Sequence, residues 1–507
     1  MIREPQTIRR FLAFAATPSG TRWLAAVAVV TSMLFAEAVG AIINRDGIVY
    51  LRAATAFLDG GLSSAMAQYN WPAYSIFIAL LSRGLGCSPE IAGHLLNGLS
   101  LLILVDAFIR CAHLLDREAR PWIPALVVLS LPVLGHRLDI YRDWGYLAFA
   151  MLSCVPLLRY WLAARGRLRD VLAWLLALTM ALLFRIEAAA LLVLTPLLFA
   201  LQPRPWAERL RNALLFSIAW LLPVLLALLV GGLRGQLDFG KLAEVIAYAD
   251  PDSSLVRFSE LSQRFAEAVL NKYSDDYAGY MLAAGIVAMV VRMIFTNLGA
   301  LLNVLLIVGG WRGWGRLGSG YRLLFGLLGL QVLVVTGFLA NRVITVNRYA
   351  LFGSLLLMLL TCVSIERLLD AGRRSRKGDA RARSVILLAL AIAVTVNITA
   401  RPDAKEYLRD AGEWMHEQLP VQAELVANED RLLYYAGRGP GPKLDNYEKI
   451  VAELQRVRPP YYLALRFDDE HVERMRALVG VQPLKVFHSA RADERAEVYF
   501  VPAERTQ

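Results

Sequence analysis

The stretch INRDGIVYLRAATAFLDGG, Ile43 to Gly61, decides how the chain is read. It follows an apolar run from Thr21 to Ile43 in which Glu37 is the interior acid, and it opens with Asn44, Arg45 and Asp46. Asp46, Tyr50, Ala54 and Phe57 then fall on one face of a helix, with Arg52 on another. A chain that leaves a bilayer in this way sets a carboxylate at the start of an interfacial helix, where the helix dipole favours it. Read alone, Asp46 is better explained as a helix cap. Its weight depends on what the rest of the chain brings to the same surface.

Composition sets the class. The 507 residues are 57% hydrophobic and 19% charged, which points to a polytopic membrane protein rather than a soluble one. The net charge of +11 would suggest nucleic acid in a soluble chain. Here the arginines sit in short segments between apolar runs, as membrane orientation requires, and nucleic acid drops out as a partner. Cys87, Cys111, Cys154 and Cys362 lie in or beside apolar runs without metal-ligand spacing. No glycine-rich nucleotide motif is present, so a soluble nucleotide donor has no cradle.

About eleven spans of near-membrane length are expected: Arg22–Ile43, Ile91–Arg110, Trp122–Arg137, Trp144–Ala163, Val171–Phe184, Ala188–Leu201, Ala213–Leu233, Tyr280–Gly309, Leu323–Ala340, Tyr349–Leu368 and Ser384–Ala400. The first is longer than a signal-peptide core and reads as an uncleaved span. Val171–Phe184 and Ala188–Leu201 are short, are joined by FRIEA, and suit a hairpin over a polar cavity. With the N-terminus in the cytoplasm, the arginine-rich loops DREARP, ARGRLRD, QPRPWAERLR, GWRGWGRLGSGYR and AGRRSRKGDARAR all fall on one side. The other side receives loops 44–90 and 234–276, LDIYRD, NRVITVN and the tail. The expected fold is therefore mainly α: a transmembrane helix bundle over 1–400 and a small C-terminal α/β domain over 401–507, placed on the side opposite the cytoplasm. In that tail AKEYLRDAGEWMHEQL has helical period, and AELVAN, YYLALRF, LKVFHS and EVYFVP read as strands.

A second acid-bearing loop, HRLDIYRDWGYLAFAML, puts Asp143 at the head of the fourth span beside Asp139, Arg137 and Arg142. Two acid-bearing loops opening on one side can converge, and paired carboxylates there could orient and deprotonate a hydroxyl. Arg185 and Glu187 in FRIEA, Arg342, and Arg348 with Tyr349 in VNRYAL supply cations and a ring at membrane depth. Arginine presents a fork that fits phosphate and stays charged when partly dehydrated. The duller alternatives are a local pair with Glu187 for Arg185, and snorkelling to the headgroups for Arg342 and Arg348.

Asp46 with Tyr50 and a closing LDGG, then YNWPAYSIFIALLSRGLG, then Asp143 at a span head, resembles the GT-C glycosyltransferases. The similarity is greatest to the group containing the bacterial lipid A aminoarabinose transferases and the protein O-mannosyltransferases. NRYALFGSLLLMLL, Asn347–Leu360, resembles their Arg-Tyr motif, and LRDAGEWMHEQLP with LLYYAGR resembles the tails of bacterial members. The resemblance implies an integral membrane enzyme that moves a sugar from a polyprenyl-phosphate-linked donor to a hydroxyl of a glycan, lipid or protein acceptor at the periplasmic face, with inversion. It implies Asp46 and Asp143 as catalytic acids, Arg348, Arg185 and Arg342 as ligands of the donor phosphate, and Tyr50, Arg142, Glu187 and Tyr349 as positioning residues. Many relatives carry Asp-Glu where this chain has Asp46-Gly47, so a metal held by two adjacent acids is not expected; no cofactor is assigned, and a divalent metal held in another way stays open. A transporter or flippase of lipid-linked sugars would also use intramembrane arginines and broken helices but would not need the tail, and a non-catalytic receptor with a periplasmic domain would use the tail for binding and leave the acids as caps.

Overall fold

Thr17 caps the first helix, α1 (Pro18–Ala38), by accepting the Gly20 N–H at 3.0 Å, with Pro18 at its first position. Gly40, at φ +87°, turns the chain out before the expected end at Ile43. The computed structural model describes residues 10, 13–40, 42–233, 251–311, 317–342, 346–371, 378–401, 405–444, 446–468, 474, 476, 477, 479–489 and 494–503. After α1 come α2 (Arg45–Gln68), which kinks at Gly61 (φ +72°), α3 (Ala73–Leu85), α4 (Pro89–Leu115) and α5 (Trp122–Leu129). Then follow α6 (Arg142–Leu162), α7 (Leu168–Phe184), α8 (Ala188–Leu194), α9 (Trp206–Leu233), α10 (Pro251–Val269), α11 (Ala278–Trp311), α12 (Ser319–Arg342), α13 (Leu351–Ala371) and α14 (Gly378–Ile398).

Six helices among the described residues are long and apolar enough to cross a membrane, so the chain is a multi-pass membrane protein. The expected span Trp122–Arg137 is not one helix. α5 stops at Leu129, and Pro132 starts a 3-10 turn, Pro132–His136, because proline restricts the residue before it and cannot continue the helix ladder. Ala188–Leu201 likewise divides into α8 and a 3-10 segment, Thr195–Leu201, at Pro196. Of the long loop 234–276, residues 234–250 lie outside the described residues; the remainder includes the amphipathic α10.

Cross-links between distant segments sort the loops to two ends of the bundle. At one end Arg120 donates to Glu366 and Asp370 (both 2.7 Å), Trp161 Nε1 to the Ser319 carbonyl (3.0 Å), and Arg204 to the Ala164 carbonyl (3.0 Å). At the other, Asn44 grips Ile140, accepting its N–H at 2.6 Å and donating to its carbonyl at 3.4 Å. Gly47 closes the same contact: a Cβ there would sit 2.7 Å from Asn44 Oδ1 and 3.1 Å from Ile140 Cβ. The first two non-arginine-rich loops are thus packed directly on one another. α6 and α13 occupy the middle of the bundle, α13 buried over nearly its whole length.

Beyond α14 the chain forms α15 (Glu406–Gln418), β1 (Leu425–Ala427), α16 (Asp430–Tyr435), α17 (Tyr447–Arg456), β2 (Tyr461–Asp468), β3 (Lys485–His488) and β4 (Glu494–Val501). The sheet order is β1-β2-β4-β3, with β1 parallel to β2 and the other pairs antiparallel. Strand alternation buries Ala464, Ala496 and Val498 under α15 and α16, and Leu463, Leu465 and Tyr499 on the opposite face with Ile450 of α17. The helix and the four strands expected here are all present.

Two buried charges fasten this end. Arg137, 1% exposed, donates to five carbonyls: Ser32 (2.9 Å), Leu134 (3.1 Å), Asn397 (3.3 Å), Ile398 (3.0 Å) and Ala400 (3.0 Å). It ties α1, the Pro132–His136 turn and the exit of α14 together, and turns away from the acids it neighbours in sequence. Glu429, also 1% exposed, receives Arg45 (2.7 and 3.1 Å), Arg431 (2.9 and 3.0 Å) and Arg466 (3.4 Å), joining the α/β unit to the start of α2. Burial would raise the pKa of Glu429, but the bonds from Arg431 and Arg45 outweigh it and hold that pKa at about 2.

Replacing Arg137 by Met keeps much of its volume but removes five hydrogen bonds from a buried site, and we expect a loss of at least about 3 kcal/mol. Arg137→Lys, with three donors in place of a planar fork, should recover part of it, as read by thermal unfolding in detergent. Because the Glu429 pKa is lowered on folding, its contribution is complete above the unfolded carboxylate value, about 4.3, and is lost as pH falls toward 2. Protection against hydrogen exchange in α16, corrected for the intrinsic rate at each pH, should fall across that window, whereas Glu429→Gln should already show weak protection at pH 7 that varies little with pH.

Candidate active site

Four chain segments meet where the two loops pack: the start of α2, the start of α6, the FRIEA turn between α7 and α8, and the 3-10 turn Asn347–Ala350 that opens α13. Asn44 is the N-cap of α2, but its side chain is committed to Ile140, and Asp46 in the first turn is directed elsewhere. The Asp46 carboxylate accepts Arg348 Nη1 at 2.6 Å. Neither the capping alternative for Asp46 nor the snorkelling alternative for Arg348 describes this pair. It is open to solvent, with side chains 42% and 29% exposed.

Asp143 is held differently. It forms an ion pair with Arg185, and the two side chains are 9% and 4% exposed. Arg185 also binds Glu187 in fork geometry, Nη2 to Oε1 at 2.5 Å and Nε to Oε2 at 3.3 Å. The local pair read from FRIEA is therefore present, and Asp143 extends it. Gly145 makes the approach possible: any Cβ there would overlap the Phe184 ring, which lies on α6 and stacks between Phe77 (5.5 Å) and Phe149 (5.8 Å). Phe184 immediately precedes Arg185, so this close contact delivers the guanidinium to Asp143.

Tyr349 connects the two pairs. Its ring lies 4.6 Å from the Arg185 guanidinium carbon and 5.9 Å from that of Arg348. Tyr141 covers Arg348 at 5.0 Å and Tyr146 lies 5.8 Å from Arg185. Arg142 rests over Tyr69 at 5.6 Å, and Tyr69 packs edge-on against Tyr50, which packs edge-on against Tyr74. At this locus two buried guanidinium nitrogens, Arg142 Nη1 and Arg348 Nε, have no hydrogen-bond partner. A buried, unpaired guanidinium nitrogen is costly and marks where an anion would be bound most favourably.

The structure thus gathers Asp46, Asp143, Arg142, Arg185, Glu187, Arg348 and Tyr349 around one locus, with Tyr50 behind it in the aromatic layer. The side chain of Arg342 lies outside the described residues. Asp139 belongs elsewhere: its carboxylate faces His136 at 3.1 Å. Sequence reasoning missed Tyr69, Tyr141, Tyr146 and Gln331. Gln331, buried in α12, donates to the Tyr349 carbonyl at 3.2 Å, and a lone amide inside an apolar run was the available signal. Between Arg185, Arg348, Tyr349 and the apolar Val334, Val335 and Phe338 of α12 lies a crevice of about 20 Å³, room for a water-sized group. The donor set does not suit a metal ion: each carboxylate faces a guanidinium, and among the described residues no three His, Cys, Asp or Glu side chains are grouped to hold one.

No family model and no curated protein matches the sequence. Solved structures do match the fold. ArnT from Cupriavidus metallidurans, bound to undecaprenyl phosphate, aligns with a TM-score of 0.51 at 14% identity over 93% of this chain and 96% of that one. The oligosaccharyltransferase AglB from Archaeoglobus fulgidus, with an inhibitory peptide and a dolichol-phosphate, aligns at 0.51 and 11% identity over 90% and 71%. The apo form of the oligosaccharyltransferase from that organism aligns at 0.53 and 10% over 91% and 71%. Identities this low speak to fold alone: the chain is a multi-pass membrane protein that shares its fold with ArnT and AglB, in agreement with the fold that the resemblance implies.

Proposed function

We propose that the protein is an integral membrane glycosyltransferase that moves a sugar from a polyprenyl-phosphate-linked donor to an acceptor hydroxyl, with inversion. The observation that carries the proposal is the meeting, at one end of the bundle, of a solvent-open carboxylate with a set of arginines that hold unpaired donors against an apolar wall. That combination suits a phosphate whose lipid stays in the bilayer and whose sugar faces water. The reading places residues 1–400 in the inner membrane as the catalytic unit and 401–507 in the periplasm. ArnT and AglB, which share the fold, were solved with undecaprenyl phosphate and dolichol-phosphate, respectively, and this supports a donor of that class.

Asp46 is the proposed base. While Arg348 holds it, the carboxylate is occupied. A donor phosphate competing for Arg348 releases Asp46 to take the acceptor proton as the hydroxyl oxygen bonds to the anomeric carbon and the phosphate departs with the bonding electrons. Arg348 and Arg142 stabilise the charge that develops on the leaving group, a term that acts most strongly where water is excluded. Buried Asp143 and Glu187 hold Arg185 in register and do not touch the reacting atoms, so Asp143 acts as a positioning residue. The small crevice requires that Arg348 and α12 move apart for a donor to enter.

Two outcomes test this reading in purified protein supplied with radiolabelled polyprenyl-phosphate sugar. Asp46→Asn keeps size and helix-start chemistry but removes the base, and transfer should fall roughly 10²–10⁴-fold with thermal stability little changed. An Asp46→Asn protein of normal activity would end the proposal. Arg348→Ala should raise the donor KM and lower kcat, reflecting loss of a charge-assisted bond of roughly 1.5–3 kcal/mol. Arg348→Lys should restore only part, because the ammonium keeps the charge without the fork; equal rescue by Lys would point to a pure charge effect instead.

A further inference from the structure

Asn97 of α4 is fully buried inside the bundle, and its amide is used from both sides. Nδ2 donates to the carbonyls of Arg137 (3.3 Å) and Asp139 (2.8 Å), and Oδ1 accepts the Tyr74 hydroxyl at 3.0 Å. The amide fits only this way round, because two carbonyls need its hydrogens and leave its oxygen for the hydroxyl. A lone amide in an apolar span is costly unless its groups are met, and a leucine would fill the same volume without that demand. The residue type at this position therefore serves the three groups it binds.

Two routes of contact leave this amide, and they meet again at Arg142. On the Nδ2 side, Asn97 holds the bend at residues 137–139 from inside the bundle while Asn44 grips Ile140. Ile140 also lies against Gly93, one turn before Asn97, where a Cβ would come within 2.9 Å of its Cδ1. That clamp sets where the chain presents Tyr141 and Arg142. On the Oδ1 side, Tyr74 packs edge-on against Tyr50 (5.2 Å) and Tyr50 against Tyr69 (5.4 Å), and the Arg142 guanidinium carbon rests 5.6 Å from the Tyr69 ring centre. One amide thus holds both the backbone that carries Arg142 and the row of rings that ends beneath its guanidinium. Arg185 and Arg348 are held by carboxylates. Arg142 forms no ion pair among the described residues and keeps a buried Nη1 unbonded, so its placement depends on this closed circuit. We infer that Asn97 is a positioning residue for Arg142, holding the guanidinium where its unbonded Nη1 meets an anion. Naming that anion as the departing phosphate rests on the transfer reading; the circuit does not.

The test uses full-length protein in detergent and two substitutions that each open one side of the circuit. Tyr74→Phe keeps the ring and removes the hydroxyl. Asn97→Asp keeps an oxygen for that hydroxyl but loses the hydrogens that the two carbonyls accept. Phenylglyoxal, which modifies accessible guanidinium groups, is followed by peptide mass spectrometry at Arg142 and, as a reference at the opposite end of the bundle, at Arg120. Modification of Arg142 should accelerate several-fold in both variants while Arg120 is unchanged, as a local release requires. With radiolabelled polyprenyl-phosphate sugar, each variant should lower kcat by about tenfold and leave the donor KM little changed. Neither should lower kcat further in an Arg142→Ala background, because the circuit acts through that residue. If wild type transfers no sugar, the transfer reading fails and the modification rates alone decide the role of Asn97. If Asn97→Asp does not yield folded protein, Tyr74→Phe decides it. Unchanged modification of Arg142, equal acceleration at Arg120, or full additivity with Arg142→Ala overturns the assignment.

Discussion

The buried guanidinium of Arg185 is the constraint around which this end of the bundle is arranged. A cation enclosed in apolar protein is tolerated when carboxylates meet it in good geometry, and removing one partner leaves an uncompensated charge. Asp143 and Glu187 meet it from α6 and from the turn between α7 and α8. That requirement fixes the approach of the hairpin to α6, makes Gly145 necessary under Phe184, and sets Tyr349 at the distance where its ring faces both Arg185 and Arg348. The open Asp46–Arg348 pair is then positioned from behind by a pair that solvent scarcely reaches.

The same rule operates twice more at this end, with different partners. Arg137 is paired with no carboxylate among the described residues; five carbonyls, from α1, the Pro132–His136 turn and the exit of α14, share its charge. Glu429 reverses the polarity, one carboxylate among three guanidinium groups, and it docks the α/β unit against the residue before Asp46. Each network joins segments far apart in sequence, so the helix starts that carry the acids are held from the bundle side by Arg137 and from the tail side by Glu429.

Much of this was legible in the sequence because it depends on local pattern. Apolar runs, arginine-rich loops and the alternation in YYLALRF and EVYFVP mark helices, sidedness and strands without reference to distant residues. The proximity of the acid-bearing loops could be inferred from sidedness, and Asn44 with Ile140 is its physical means. What could not be read is who pairs with whom. Asp46 and Arg348 are separated by 302 positions and Arg45 and Glu429 by 384, and no periodicity connects them. Arg137 illustrates the limit from the other side: its neighbours in HRLDIYRD suggested an acid cluster, but the turn at Pro132 aims it into the bundle. The span Trp122–Arg137 failed for the same reason, since hydropathy counts residues while proline decides whether they form one helix.

The charge balance of the candidate site gives the proposed chemistry a direction. Three arginines, Arg142, Arg185 and Arg348, stand with three carboxylates, Asp46, Asp143 and Glu187, so the empty locus is formally neutral and exerts little long-range attraction on an anion. Selectivity must then arise at contact, through exchange of partners. The Asp143–Arg185–Glu187 cluster is too enclosed to open cheaply, whereas the Asp46–Arg348 pair is solvent-accessible and leaves Arg348 Nε and, nearby, Arg142 Nη1 without partners. A phosphate arriving from the α12 side would satisfy those donors and draw Arg348 with it. On the proposed reading, donor capture and activation of the base are thereby one event: the carboxylate is freed when a leaving group is in place, and a water molecule reaching the empty site meets a base that is still occupied.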